Sequence, residues 1–176
     1  MIKTTKTLFN ESEMDRAILD VARRIVADGV HDVALVGIKT RGVPLANWLA
    51  KKIESLQHKP LDVGSLDINL YRDDLSEVDH NPVVKKSELP FAITGRGIVL
   101  VDDVLYTGRT IRAALDALID LGRPRFVKLM VMVDRGWREL PIYAEYVAKE
   151  LKTTATQNVK VRFADTDGVN EVVVKG

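Results

Sequence analysis

The stretch "VLVDDVLYTGRTI" (residues 99–111) carries an apolar segment into two adjacent acids and then into a Thr-Gly-Arg-Thr turn. Its reading decides the fold. Residues 98–101 are short, wholly apolar and rich in β-branched side chains, the pattern of a strand buried on both faces. Ile111, Ala114, Leu115, Leu118 and Ile119 then recur at helical spacing until Gly122 and Pro124 close the run. A buried strand that turns straight into a helix is half of a βαβ unit.

The same alternation extends in both directions. Asn10 and Glu13 form a capping-box pattern ahead of Met14, Ala17, Ile18, Val21, Ala22, Ile25 and Val26, and Gly29 stops that helix. "VALVGI" (residues 33–38) reads as a buried strand, followed by the polar "KTRG" and a helix opening at Pro44. Leu66, Ile68 and Leu70 alternate with polar residues, so residues 61–71 are expected to form a half-exposed strand. "YRDDLSEVDHNPVVKKSELP" (residues 71–90) has no sustained period, and a loop that long in a compact domain is usually functional or mobile. Residues 126–133 give a further strand, with "VKVRF" (159–163) and "EVVV" (171–174) near the end.

Strands alternating with helices imply right-handed crossovers and an α/β fold with a mostly parallel sheet covered on both faces. No linker, repeat or low-complexity tract interrupts the pattern, so residues 1–176 are expected to be one domain. With 46% apolar and 29% charged residues and no cysteine, thiolate metal sites and Cys nucleophiles are excluded. The formal net charge of +1 means that any nucleic-acid affinity must come from a local basic patch. The start "MIKTTKTLFN" lacks a signal-peptide core and no apolar run is long enough to span a bilayer, which leads to the expectation of a cytoplasmic protein without membrane partners. His31, His58 and His80 read as surface or loop residues.

Ligands of parallel sheets sit beyond the carboxyl ends of the strands, where this chain places three polar turns, at residues 39–42, 102–110 and 134–138. In the second, Gly108 permits close backbone approach, Thr107 and Thr110 offer hydroxyls, and the helix start offers unpaired N–H groups, which together suit a phosphate dianion. A capped helix start with Thr as N-cap explains the same residues. Asp102 and Asp103 close an apolar strand, where carboxylates without partners are costly. Successive strand residues point to opposite faces, so both serve one ligand only if the strand has already ended. Acids repel a phosphate but fit vicinal hydroxyls such as those of a ribose, with a divalent cation nearby.

Strand, paired acids, glycine turn and helix in this order resemble the signature by which type I phosphoribosyltransferases bind 5-phosphoribosyl-1-pyrophosphate (PRPP). With "VGIKTRG", "DINLYRDDL", "LGRP" and "VDRGWRELPI", over about residues 35–142, the chain is similar to the branch of that family that pairs uracil phosphoribosyltransferase activity with attenuation of pyrimidine operons. The resemblance implies the type I phosphoribosyltransferase fold, a mostly parallel central sheet flanked by helices, with a small hood and a flexible loop. It implies that Asp102 and Asp103 bind the ribose hydroxyls and that Thr107, Gly108, Arg109 and Thr110 wrap the 5-phosphate, with Val104, Leu105 and Tyr106 completing the segment. Thr40, Arg41 and Gly42 match the pyrophosphate loop, Arg72 the residue that closes over pyrophosphate, and Asp134 and Arg135 the turn beside the base. The implied catalytic set is Asp102, Asp103, Arg41 and Arg72. Uracil and PRPP would give UMP and pyrophosphate, with Mg²⁺ held mainly by substrate oxygens rather than by dedicated ligands. A purine or orotate transferase shares the PRPP motif, but the "VDRGWRELPI" match favours uracil.

The same resemblance implies UMP-dependent binding of a pyrimidine-operon leader mRNA (transcription attenuation) and assembly as a homodimer or higher homo-oligomer. Arg16, Arg23, Arg138 and Lys149 are the candidate RNA contacts, with Arg123, Arg125 and Lys128 as further basic positions. The first helix also carries Asp15, Asp20 and Asp28, which repel phosphates, while Trp137 and Tyr143 stand where the family commonly has a His and a basic residue. A uracil phosphoribosyltransferase that has lost most RNA binding is therefore the alternative.

Overall fold

The computed structural model describes residues 5–29, 32–73 and 86–176. Its elements run β1 (Thr5–Phe9), α1 (Glu11–Ala27), β2 (Val33–Ile38), α2 (Gly42–Gln57), β3 (Asp62–Leu66), a 3-10 turn (Asn69–Tyr71), β4 (Gly97–Leu105), α3 (Arg109–Leu121), β5 (Phe126–Asp134), β6 (Tyr146–Glu150), β7 (Asn158–Arg162), α4 (Ala164–Asp167) and β8 (Glu171–Lys175). A five-stranded sheet has the order β3-β2-β4-β5-β6, all neighbours parallel. A three-stranded antiparallel sheet, β1-β8-β7, is assembled from both ends of the chain. This is the type I phosphoribosyltransferase arrangement, the small sheet being its hood.

Strand alternation sorts the core into two faces. Leu35, Val99, Val101, Met130 and Met132 pack toward α1 and α2, while Ala34, Val36, Ile98, Leu100, Leu129 and Val131 pack toward α3. The capping box holds as read: Glu13 N–H donates to Asn10 Oδ1 (3.0 Å) and Asn10 N–H to Glu13 Oε2 (2.8 Å). At the other end of α1, Arg24 donates to the carbonyls of Glu145 (2.9 Å) and Val147 (3.1 Å), docking the helix on β6.

Two expectations are corrected. Residues 61–71 do not form one strand: β3 ends at Leu66, because Asp67 accepts from Asn69 N–H (2.9 Å) in an Asx turn and Leu70 swings out, 67% exposed. β4 does not end before the acids but runs through them to Leu105, paired with β5 as Asp102↔Val131 and Val104↔Val133. The alternation slips there instead, since Val101 and Val104 pack on the same face and Leu105 on the other. β1 and β6 had no counterpart in the sequence reading. Of the expected flexible loop, residues 86–90 form a strap along β3, with Ser65 and Glu88 exchanging backbone hydrogen bonds (2.8 Å each); residues 74–85, His31 and His80 lie outside the described residues.

The cap gives a direct check. Asn10→Ala is expected to lower stability by about 1 kcal/mol, a drop of about 2–4 °C in a thermal melt.

Candidate active site

β2, β4 and β5 are neighbours in the sheet, so the turns that follow them meet at one edge. After β2, the Lys39–Thr40 peptide is cis and Lys39 N–H donates to Leu66 O (2.9 Å). The turn then presses on β4 so closely that a Cβ on Gly42 would stand 2.3 Å from Val101 O; only glycine fits beside the acids. Arg41, one residue before α2, reaches Asp167 Oδ1 through Nη2 (2.7 Å). Thr40 is exposed and Gly42 buried.

Asp102 is 6% exposed, and its Oδ1 accepts from Asp103 N–H (2.9 Å); Asp103 Oδ1 accepts in turn from Val104 N–H (2.9 Å). Burial, and then the neighbouring carboxyl, hold Asp102 well above the ordinary carboxylate range. Burial raises Asp103 too, opposed by its hydrogen bonds and by the charge of Arg41. Asp103 and Arg41 line a groove of about 330 Å³ whose other wall is β7 (Val159, Val161, Arg162) and Asp167.

After β4 the chain turns at Gly108 (φ 94°), which precedes the first residue of α3. Residues 104–111 and Glu139 line a cavity of about 340 Å³ over that helix start, where the first N–H groups have no partner within the helix. Thr107 does not cap the helix as its N-cap; its Oγ1 accepts from Arg109 N–H (3.3 Å) one step earlier, and its carbonyl accepts from the N–H groups of Glu139 (2.9 Å) and Leu140 (3.1 Å). The turn is thereby tied to the segment following β5. Arg109 lines the cavity with its side chain bridged to Glu139 (2.7 Å) and Asp73 (2.8 Å). A wider groove of about 720 Å³ along β3 and the strap reaches neither acid.

The third turn is tied to its neighbours by side-chain hydrogen bonds. Asp134 accepts from Gly136 N–H (2.9 Å) and from Arg138. Arg135, 6% exposed, donates to Gln157 O (2.7 Å) and Thr153 Oγ1 (3.2 Å) and stacks over the Tyr106 ring at 4.0 Å. Arg138 also donates to Ile142 O (2.8 Å) and Tyr106 O (2.7 Å). Arg72 follows the 3-10 turn, on a segment held to α3 by Arg112 bonding Tyr71 O (2.8 Å) and by Tyr71 O–H donating to Asp120 (2.6 Å); it lines neither cavity.

Thus Arg41 and Asp103 meet in one groove and residues 104–110 in the next, while Arg72, Asp134 and Arg135 stand outside both. Asp167, Glu139 and Asp73 were missed. Asp73 lies in "DINLYRDDL" and Glu139 in "VDRGWRELPI"; Asp167, in "FADTDG", is brought to Arg41 only by the folding of the small sheet.

Because Asp102 holds its proton more tightly folded than unfolded, stability falls as pH rises from the ordinary carboxylate range through the raised pKa. Asp102→Asn, which keeps an Oδ1 acceptor for Asp103 N–H, is expected to melt about 2–4 °C above wild type at pH 8, with the difference shrinking toward pH 4.

The Phosphoribosyl transferase domain family matches residues 4–166. Bifunctional protein PyrR of Deinococcus deserti is 52% identical over 168 residues, covering 94% of this chain and 92% of that protein. Bifunctional protein PyrR of Thermus thermophilus is 54% identical over 167 residues, with the same coverage of each. Hypoxanthine phosphoribosyl transferase of Trypanosoma cruzi superimposes with a TM-score of 0.74 at 21% identity, over 96% of this chain and 90% of that one, a likeness of fold. With half its residues shared across nearly the full length of such relatives, the chain that builds this acid-and-glycine site belongs to the phosphoribosyltransferase family, in its PyrR branch.

Proposed function

We propose that the chain transfers the ribose 5-phosphate of PRPP to uracil, giving UMP and pyrophosphate, and that its UMP-bound form binds a pyrimidine-operon leader mRNA as a transcription attenuator. One observation carries the catalytic half: an acid pair, Asp102 buried and Asp103 half-buried at the groove, sits between Arg41 and a glycine-opened helix N-terminus. The first N–H groups of α3, with Thr107 and Thr110, receive the 5-phosphate, stabilised by the helix dipole. Asp102 and Asp103 accept the ribose hydroxyls, which gives the buried carboxyls the donors they need. Arg41 takes the pyrophosphate end with Thr40 and Gly42, and Arg72 comes over it from the segment anchored by Tyr71 and Asp73. Catalysis is then positioning, with stabilisation of charge leaving on pyrophosphate. Tyr106 and Arg135 pack the turn beside the base.

Among the described residues no three His, Cys, Asp or Glu side chains gather as a metal cluster, and in this reading Mg²⁺ would be held mainly by the oxygens of PRPP, with no dedicated protein ligands. When bound, Mg²⁺ would supply neutralisation of the charge on the leaving pyrophosphate, beside Arg41. Among the described residues no helix is long and apolar enough to cross a membrane. The proposal includes a cytoplasmic location, one domain over residues 1–176 and assembly as a homo-oligomer.

For RNA, Arg16, Arg23 and Lys149 are exposed. Two features favour the alternative in which catalysis is kept and RNA affinity is largely lost: Arg23 is paired with Asp20 (3.0 Å), and Arg138 is turned inward. A single comparison separates the halves. Purified protein is expected to form UMP from uracil and PRPP with Mg²⁺, and Asp102→Asn/Asp103→Asn to lose about 10²–10³-fold; equal rates in the two proteins would remove the catalytic reading. A leader hairpin shifted only with UMP, and weakening steeply with salt, supports attenuation; no shift at low salt with saturating UMP leaves the enzyme alone.

A further inference from the structure

We infer that Asp167 is a positioning residue for the transfer: across the groove between the small and large sheets it holds the Arg41 guanidinium ready for the pyrophosphate end of PRPP. This rests on the PRPP reading of the site given above.

The carboxylate is fixed at both oxygens. Oδ1 accepts from Arg41 Nη2 (2.7 Å) and Oδ2 from Phe163 N–H (3.1 Å). Its backbone is equally constrained, in a short turn where the N–H groups of Thr166 and Asp167 donate to Phe163 O (3.0 and 2.6 Å) and that of Gly168 to Ala164 O (3.0 Å). Phe163 is itself 2% exposed and packed in the main core, so the turn is anchored to the body of the protein. Asp167 is therefore a stationary acceptor rather than a wandering surface acid.

Arg41 needs such an acceptor. Its side chain is long, 40% exposed and borne on a turn whose glycine neighbour lends it no packing, so unaided it loses much rotamer freedom when it meets a ligand. Asp103 stands on the same groove and attracts the guanidinium toward the ribose side. The bond to Asp167 opposes that pull and orders the side chain before substrate arrives, the general benefit of preorganisation. A guanidinium has five N–H donors, and Asp167 engages Nη2, leaving others for the oxygens of the leaving group. The Arg41 contact holds the Asp167 carboxyl below the ordinary range, so the pair stays ionised at neutral pH.

The test is steady-state kinetics of wild type, Asp167→Asn and Asp167→Glu, with UMP binding measured on each. Asn keeps an acceptor for Phe163 N–H but loses the charge that holds Arg41. In Asp167→Asn, KM for PRPP is expected to rise about three- to tenfold, and KM for pyrophosphate in the reverse reaction to rise with it. The affinity for UMP, which has no pyrophosphate, stays within about twofold, and Asp167→Glu recovers part of the loss. An unshifted KM for PRPP overturns the inference, and so does a fall in UMP affinity in step with it, since that is the signature of a collapsed hood. Should Asp167→Asn not fold, Asp167→Glu carries the same comparison with a smaller expected shift. Wild-type protein that forms no UMP removes the underlying reading; active wild type with an unshifted variant overturns this inference alone.

Discussion

Asp102 places a carboxyl inside the central strand of a parallel sheet, almost out of water, with a second carboxyl one residue on. Within the protein its visible support is the N–H of Asp103, and burial drives it toward the protonated form. A folded chain keeps such a group only where something else rewards it, because a hydrophobic residue in the same place packs without that penalty. Three features surround it: the alternation of β4 slips at the acids, Gly42 fits against β4 where a Cβ would clash, and the chain turns at Gly108 into a helix start of the kind that favours anions. The proposed ribose 5-phosphate, with hydroxyl donors on one side and a phosphate on the other, would satisfy both features with one ligand.

The scaffold serves that edge. Parallel pairing puts the carboxyl ends of β2, β4 and β5 side by side, so turns far apart in sequence converge without a long connection. The turn after β5 contributes by holding its neighbours: Arg138 and the N–H groups of Glu139 and Leu140 fix Tyr106 and Thr107, and Arg135 ties Tyr106 to residues 153–157 leading into β7. The helix-start pocket is thus built from backbone groups whose positions depend on Arg135 and Arg138, distant in sequence. Small-sheet residues close the other groove, bringing Asp167 over Arg41.

Where local chemistry decided structure, the sequence was legible: the capping box of α1, the buried strands β2 and β5, and the helix after Gly108 all stand where spacing put them. Where tertiary contacts decided it, the pattern misled. β1 and β6 have too few buried positions to show an alternation, Tyr146 being the one buried residue of β6. Leu66, Ile68 and Leu70 mimic a strand that an Asx turn at Asp67 breaks. The acids could be seen as a site, but not that the strand runs through them, because only pairing with β5 carries it past Val101. Arg109 illustrates the limit within a motif: spacing placed its backbone at the phosphate turn, while its side chain answers to Asp73 and Glu139.

The central claim is that one ligand spans the acid pair and the start of α3. A crystal structure of the protein soaked with UMP tests it most directly. The account predicts the 5-phosphate within hydrogen-bonding distance of the N–H groups of residues 108–111 and the ribose hydroxyls on Asp102 and Asp103. A phosphate bound elsewhere, or a ribose that leaves both carboxyls without a donor, would contradict it.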